Sequence, residues 1–264
     1  MTKRNRQEVQ DRKQQRRERM GKVVKDKFQE EKAAKQVNII PKNHNQKLYL
    51  DSLKRNKITV AKGSSGSGKT YVGCCYAGNK LLKGEVDKII LIRPYEQVGR
   101  SIGLRPGTSE EKLLPLMQSM LQPLEEMFGQ GAFNYHLEHG NIVLEALEDI
   151  RGRSYSDAIV IVDEAQSCDM KTIQTLVTRL GENAQLILCG DGINWQVDIK
   201  GVSGLNWFTD TIKRLRKNIP NYLDKDDVNQ LTNNIGIVHF TKDDVVRSGL
   251  TKMFVKVFDE ESYG

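Results

Sequence analysis

The sequence predicts an α/β fold in which a mostly parallel sheet is covered by helices on both faces. Three observations predict it. Gly63-Ser64-Ser65-Gly66-Ser67-Gly68-Lys69-Thr70 satisfies G-x-x-x-x-G-K-[ST] at every fixed position, between an apolar run and a helix-compatible segment. The apolar run Ala158 to Val162 ends in Asp163-Glu164, the pattern of a central strand delivering two carboxylates to one sheet edge. β-Branched apolar runs alternate with helix-compatible segments along much of the chain.

At 264 residues the chain can build one substantial core, or one domain with an appendage. Its formal net charge is +7, and the location of that surplus is informative. Residues 1–36 carry 13 Lys/Arg against 6 Asp/Glu, whereas residues 37–264 carry 28 of each. We therefore expect a basic N-terminal arm over 1–36, helical or disordered, ahead of a single domain over 37–264. In the arm, Met20, Val24 and Phe28 recur at i, i+4 and i+8, enough for one short apolar face. Arg16, Arg17 and Arg19, its densest part, suit nucleic-acid phosphates; a solvated extension that contacts nothing specific fits the same composition.

Cys74, Cys75, Cys168 and Cys189 show no metal-type spacing and are expected to be buried, reduced thiols. No apolar run approaches a membrane span, and the charged N-terminus has no apolar leader segment. The expectation is a soluble, cytoplasmic protein with no membrane partner.

Taken in order, Asn45-Gln46 opens a short helical stretch to Arg55. The Gln46 amide offers a donor beside an acceptor, which suits an adenine edge; a polar helix-start residue is the alternative. Ile58 to Val60 is the strand feeding the loop, and Tyr71 to Leu82 the helix leaving it. Gly63, Gly66 and Gly68 allow the loop to curl, so that its N–H groups and those of Ser64, Ser65 and Ser67 point inward at a phosphate chain. The helix N-terminus adds partial positive charge. Lys69 would reach the β and γ phosphates, and the Thr70 hydroxyl would take one place on Mg²⁺. A flexible Gly/Ser linker would have no reason to end in Lys-Thr between a strand and a helix.

Val86 to Ile92 reads as a buried parallel strand ending in Arg93-Pro94. Residues 95–115, with Arg100 and Arg105, read as a surface excursion, followed by a helix over Leu116 to Phe128. Asn141 to Leu147 is a short strand. At the end of the Ala158 to Val162 strand, Asp163 can hold Mg²⁺ and Glu164 can polarise an attacking water. Lys171 to Leu180 is helical and Gln185 to Cys189 is a strand, followed by Gly190-Asp191. Ile235 to Phe240 is the last strand, and a C-terminal helix ends near Phe258. No internal repeat is found, and no role is assigned to the histidines.

The order of these motifs resembles the PhoH-like family of P-loop ATPases, which is related to the ATPase core of superfamily 1 helicases. The resemblance runs from Asn45 to the C-terminus. It rests on Asn45-Gln46, the loop, Arg93-Pro94, Leu104-Arg105-Pro106-Gly107, Arg151-Gly152-Arg153, Asp163-Glu164-Ala165-Gln166, Thr178-Arg179-Leu180-Gly181-Glu182, Gly190-Asp191, Ser203-Gly204-Leu205 and Asp244-Val245-Val246-Arg247. It implies a RecA-like core, ATP binding and hydrolysis, and a link to RNA. It strengthens Gln46 as an adenine reader and nominates Arg247 and Arg179 for sensing the γ-phosphate. Where the family has Gly-Asp-x-x-Gln, this chain has Gly190-Asp191-Gly192-Ile193-Asn194-Trp195-Gln196. Either Asn194 fills the Gln position or a two-residue insertion places Gln196 there, and the following Val197-Asp198 favours the insertion.

Together these readings predict a Mg²⁺-dependent ATPase coupled to RNA or single-stranded nucleic acid, with Lys69, Glu164, Gln196 and Arg247 in catalysis and Thr70 and Asp163 on the metal. Because helicases of that superfamily place ATP between two such domains, a neighbouring copy would complete the site. Arg247 would then act in trans in a homo-oligomer, a hexameric ring being one form. The competing readings are a P-loop small-molecule kinase and a nucleotide-gated nucleic-acid clamp with slow hydrolysis.

Overall fold

Alternation within the strands decides the architecture. Along β4 (Ala158–Val162), Ile159 and Ile161 join the core on one face, while Ala158, Val160 and Val162 join the core on the other; all five are buried. A strand that is apolar on both sides is stable only where both faces are covered. β2 (Lys88–Ile92) and β5 (Gln185–Gly190) share this pattern. With β1 (Ile58–Gly63), β3 (Ile142–Glu145) and β6 (Ile235–Phe240) they form a six-stranded sheet in the order β3-β2-β4-β5-β1-β6. Every pairing is parallel. The computed structural model describes residues 36–94, 113–191, 203–247 and 249–261.

One face is covered by α1 (His44–Arg55), α2 (Lys69–Leu82), α3 (Gln118–Phe128) and α4 (Gln130–Glu138), which bury Tyr49, Leu53, Val72, Met120, Leu124 and Phe133. The other is covered by α5 (Met170–Thr178) and α6 (Gly204–Lys217), through Ile173, Leu176, Leu205, Phe208 and Ile212. Each such fully buried aliphatic side chain contributes about 1.5–3 kcal/mol of transfer free energy. α7 (Lys225–Asn233) packs on α6 and β6, and α8 (Gly249–Glu261) closes the chain. This is the α/β, RecA-like P-loop architecture that the sequence predicts.

The differences are local. The second strand starts at Lys88 rather than Val86, and the helix expected over Lys171 to Leu180 runs Met170–Thr178, because the Asp169 side chain accepts from Thr172 N–H and caps it. Helices α4, α6 and α7 are not anticipated by the sequence reading. Among the described residues no helix is long and apolar enough to cross a membrane. All four cysteines are buried and free. Most of the basic arm, Arg100, Arg105, Asn194 and Gln196 lie outside the described residues.

Strand order is what positions the site. β4, β5 and β1 are consecutive neighbours, so their C-terminal ends bring Asp163-Glu164, Asp191 and the glycine-rich loop to one sheet edge.

Candidate functional site

The loop between β1 and α2 is shaped by its glycines. Gly66 and Gly68 sit at φ 75° and 82°, the left-handed region that favours glycine. At Gly63 the constraint is contact as well as conformation: a Cβ there would lie 1.8 Å from the Phe240 carbonyl oxygen. Ser67 Oγ donates to the Ser64 carbonyl at 2.8 Å and closes the loop on itself.

Gln46 supports this loop from behind. It is 4% exposed, and its Nε2 donates to the Ser67 carbonyl at 2.8 Å. Its Oε1 accepts from Lys42 N–H at 2.7 Å, and its amide lies under Gly68, 2.8 Å from where a Cβ would stand. The cleft itself is lined by Ser65, Gly66, Gly68, Lys69, Thr70, Tyr71, Ser119, Asp163, Glu164, Gly190, Asp191 and Arg247. Gln46 is not among these residues; it braces the loop wall.

Lys69 leads α2, so its ammonium curls back over the loop. Its Nζ donates to the Gly63 and Ser64 carbonyls at 2.7 and 2.9 Å and to Asp191 Oδ1 at 3.0 Å. Next to it, Thr70 Oγ1 donates to Asp163 Oδ1 at 2.7 Å. The other oxygen, Asp163 Oδ2, accepts from Ser119 Oγ of α3 at 2.8 Å. Arg93 leaves the end of β2 and donates to the Leu116 carbonyl at 2.8 Å; its guanidinium stands 3.7 Å from Asp163 Oδ2 and 3.5 Å from Glu164 Oε1.

Glu164 adopts left-handed backbone, φ 52° and ψ 38°, which turns the chain sharply at the strand end. Such a conformation costs a non-glycine residue on the order of 1 kcal/mol and is concentrated at functional sites. Gln166 Nε2 donates to Glu164 Oε2 at 2.6 Å, while Gln166 Oε1 accepts from Asp191 N–H at 3.0 Å, so one amide ties the two acidic strand ends together. Burial pushes the Glu164 carboxyl above the usual glutamate range, with Asp163 and Asp191 adding to the push; the Gln166 hydrogen bond and Arg93 oppose it.

Arg247 reaches the cleft of its own chain. Val246 N–H donates to the Gly66 carbonyl at 3.0 Å, and Arg247 Cδ and Nε lie 2.9 Å from the position of a Gly66 Cβ. Arg247, expected to serve a neighbouring copy, lines the cleft of its own chain. Arg179, the other nominated sensor, lies elsewhere. It ends α5, donates to the Arg151 carbonyl at 2.8 Å and does not line the cleft.

The structure brings together Lys69, Thr70, Asp163, Glu164, Arg247 and the loop, and adds Arg93, Ser119, Gln166 and Asp191. The sequence shows Arg93, Gln166 and Asp191 within motifs but not what they touch. Ser119 carries no signal, because only the packing of α3 on α2 brings it to a carboxylate 44 residues away.

The donor set fits a Mg²⁺-nucleotide: a curled loop at a helix N-terminus, one lysine, and a hydroxyl beside a carboxylate. Among the described residues no group of three or more His, Cys, Asp or Glu side chains could hold a metal ion.

The family model described as "PhoH-like protein" matches residues 38–259. The chain is 32% identical over 233 residues to the "PhoH-like protein" of Bacillus subtilis (strain 168), covering 88% of this chain and 67% of that one. It is 31% identical over 214 residues to "Protein PhoH" of Escherichia coli (strain K12), covering 80% and 56%. It is 32% identical over 222 residues to the "PhoH-like protein" of Mycobacterium tuberculosis (strain ATCC 25618 / H37Rv), covering 83% and 58%. The matched stretch therefore spans between 56% and 67% of the length of these curated relatives. With motif order, sheet topology and this match in agreement, the chain belongs to the PhoH-like family.

Proposed function

We propose that this chain is a Mg²⁺-dependent ATPase whose turnover is coupled to RNA or another single-stranded nucleic acid. The observation that carries the reading is the Thr70–Asp163 hydrogen bond, with Lys69 and Glu164 lining the same cleft. In this reading the loop N–H groups and Lys69 bind the phosphate chain, with Lys69 exchanging its carbonyl and Asp191 partners for phosphate oxygens. Thr70 and Asp163 hold the metal ion, which when bound neutralises charge on the terminal phosphates. Glu164 orients a water and takes its proton at Oε1 or Oε2, while Gln166 and Arg93 fix the direction of the carboxylate.

Arg247 places positive charge beside the terminal phosphate from within the chain, the arrangement of enzymes that carry their arginine in cis. Assembly into a homo-oligomer remains part of the proposal, but Arg247 gives it no support. Gln196, or Asn194, is the proposed γ-phosphate sensor. Gln46 holds the loop through Ser67 and has one further N–H for an adenine edge.

The test is ATP turnover by the purified chain with and without single-stranded RNA or DNA, with Glu164→Gln as control. Turnover that rises with the strand and vanishes in Glu164→Gln is expected. Turnover indifferent to every strand would remove the nucleic-acid coupling, and none under any condition would overturn the ATPase reading.

A further inference from the structure

The ends of β1 and β6 carry an arrangement of basic side chains that the nucleotide cleft does not use. Lys62 and His239 are register partners on these neighbouring strands, and alternation puts both on the face of Ile58, Val60 and Ile235. Neighbouring strands are about 4.8 Å apart, so the two side chains leave the sheet side by side. α6 lies over this face and adds Lys213, which pairs with Asp210 at 3.7 Å.

Among the described residues neither Lys62 nor His239 has an ion-pair partner. Burial pushes the Lys62 ammonium down, Lys213 pushes it further, and Asp210 opposes. Burial likewise pushes His239 down, with Lys213 and Lys62 adding to it. Lys62 is thus a half-covered ammonium with no acidic partner of its own, beside Lys213 and a His239 ring held toward its neutral, hydrogen-bonding form, and such departures from local consistency are expected where a ligand supplies the missing counter-charge.

We propose that Lys62, His239 and Lys213 form the contact for the phosphodiester backbone of the single-stranded nucleic acid to which turnover is coupled; this rests on the proposed function. His239 and Lys213 are exposed, so the face is open to a polymer. A lone phosphate ion would instead need enclosing N–H donors, and the amides of β1 and β6 that face each other are committed to strand pairing.

The same two strands connect this face to the nucleotide cleft. One residue after Lys62 the loop begins at Gly63, and one residue after His239 comes Phe240, whose carbonyl presses on Gly63. Six residues past Phe240, Val246 holds Gly66 by its N–H and Arg247 enters the cleft. A strand bound across Lys62 and His239 therefore bears on both backbone segments that shape the phosphate site.

The experiment titrates a labelled single-stranded oligouridylate against the full chain by anisotropy over a salt series. It compares wild type, Lys213→Glu, Lys62→Glu/Lys213→Glu and Lys62→Arg/Lys213→Arg. In the double glutamate variant we expect affinity to fall about tenfold or more, and the slope of log K against log salt to become shallower by about 1.4, the loss of two phosphate contacts on a single strand. The arginine double should bind like wild type, and Lys213→Glu should fall between. Wild-type affinity and slope in both glutamate variants would overturn the proposal while leaving the coupling intact, whereas a wild type that binds no strand would overturn both. An equal loss for a mononucleotide would overturn it in favour of a free-phosphate site, and competition by polyglutamate as strong as by RNA would overturn it in favour of an acidic protein.

Discussion

Thr70 Oγ1 donates to Asp163 Oδ1 at 2.7 Å, joining the first turn of α2 to the end of β4 across 93 residues of chain. A hydroxyl and a carboxylate held this close address one point in the cleft, where both could turn their lone pairs to a divalent cation in place of the hydrogen bond. Asp163→Asn keeps the volume and loses the charge. The Mg²⁺ concentration for half-maximal turnover should rise by about tenfold or more, while nucleotide binding in EDTA, read with a fluorescent analogue, should hold.

Glu164 should separate binding from chemistry. Glu164→Gln is expected to bind nucleotide within a few-fold of wild type and to lose turnover by about a hundredfold or more, since it cannot accept a proton. Wild-type turnover in this variant would end its assignment as the base.

The environment of Glu164 also predicts pH behaviour. Its carboxyl sits above the usual glutamate range because of burial, so the acid limb of kcat/KM should lie above that range too. Arg93 favours the ionised form, so Arg93→Met should move the limb further up. The sign for stability follows. The folded chain holds this proton to higher pH than the unfolded chain, so the contribution to stability is complete below the unfolded pKa and is lost as pH rises through the folded value. Glu164→Gln removes that loss and should melt higher than wild type at neutral pH.

Gln46 distinguishes loop support from base reading. If its main work is the hydrogen bond to Ser67, Gln46→Ala should lower kcat/KM for ATP and GTP by similar factors, of about tenfold for one lost buried hydrogen bond. A loss confined to ATP would instead make Gln46 the adenine reader. Steady-state kinetics with both nucleotides decide.

Gly63→Ala should be among the most damaging small substitutions. The new methyl would stand 1.8 Å from the Phe240 carbonyl, so the strand end or the loop has to move. A cost of about 1–3 kcal/mol or more is expected, read as a lowered Tm together with weakened nucleotide binding.

The cysteines should be chemically quiet in the native protein. Burial pushes the Cys75 thiol up to about 11 and the Cys168 and Cys189 thiols up to about 12, and Cys74 rises as well. Reaction with a thiol reagent at neutral pH should be slow when folded and complete in denaturant.

What the sequence discloses about this site is what the backbone encodes locally. The spacing of Gly63, Gly66 and Gly68, and an apolar strand ending in Asp163-Glu164, are visible because turn geometry and strand period are written in consecutive residues. Ser119 is silent, and Arg93 is visible only as part of a motif, because their partners depend on how α3 packs. Gln46 is readable as a polar residue before the loop, but not as one that lies behind it, since that requires knowing the path of α1. α6 and α7 escape notice because long polar stretches surround their few core residues, Leu205, Phe208, Ile212 and Val228. Arg179 shows the converse: motif order suggests a phosphate sensor, yet α5 carries its guanidinium to the Arg151 carbonyl.

The buried pair of Lys69 and Asp191 joins positions 122 residues apart, and the cleft they line also takes Arg247 from beyond the last strand. Closing so large a loop is entropically costly and comes late when a parallel sheet assembles. Partly folded chains should therefore be blind to nucleotide. Ligand present during refolding would leave the early phases unchanged and act only on the finished product, by about 2.7 kcal/mol at a hundredfold excess over Kd. Nucleotide binding would in that sense report that synthesis has passed β6 and Arg247 and that the whole central sheet has closed.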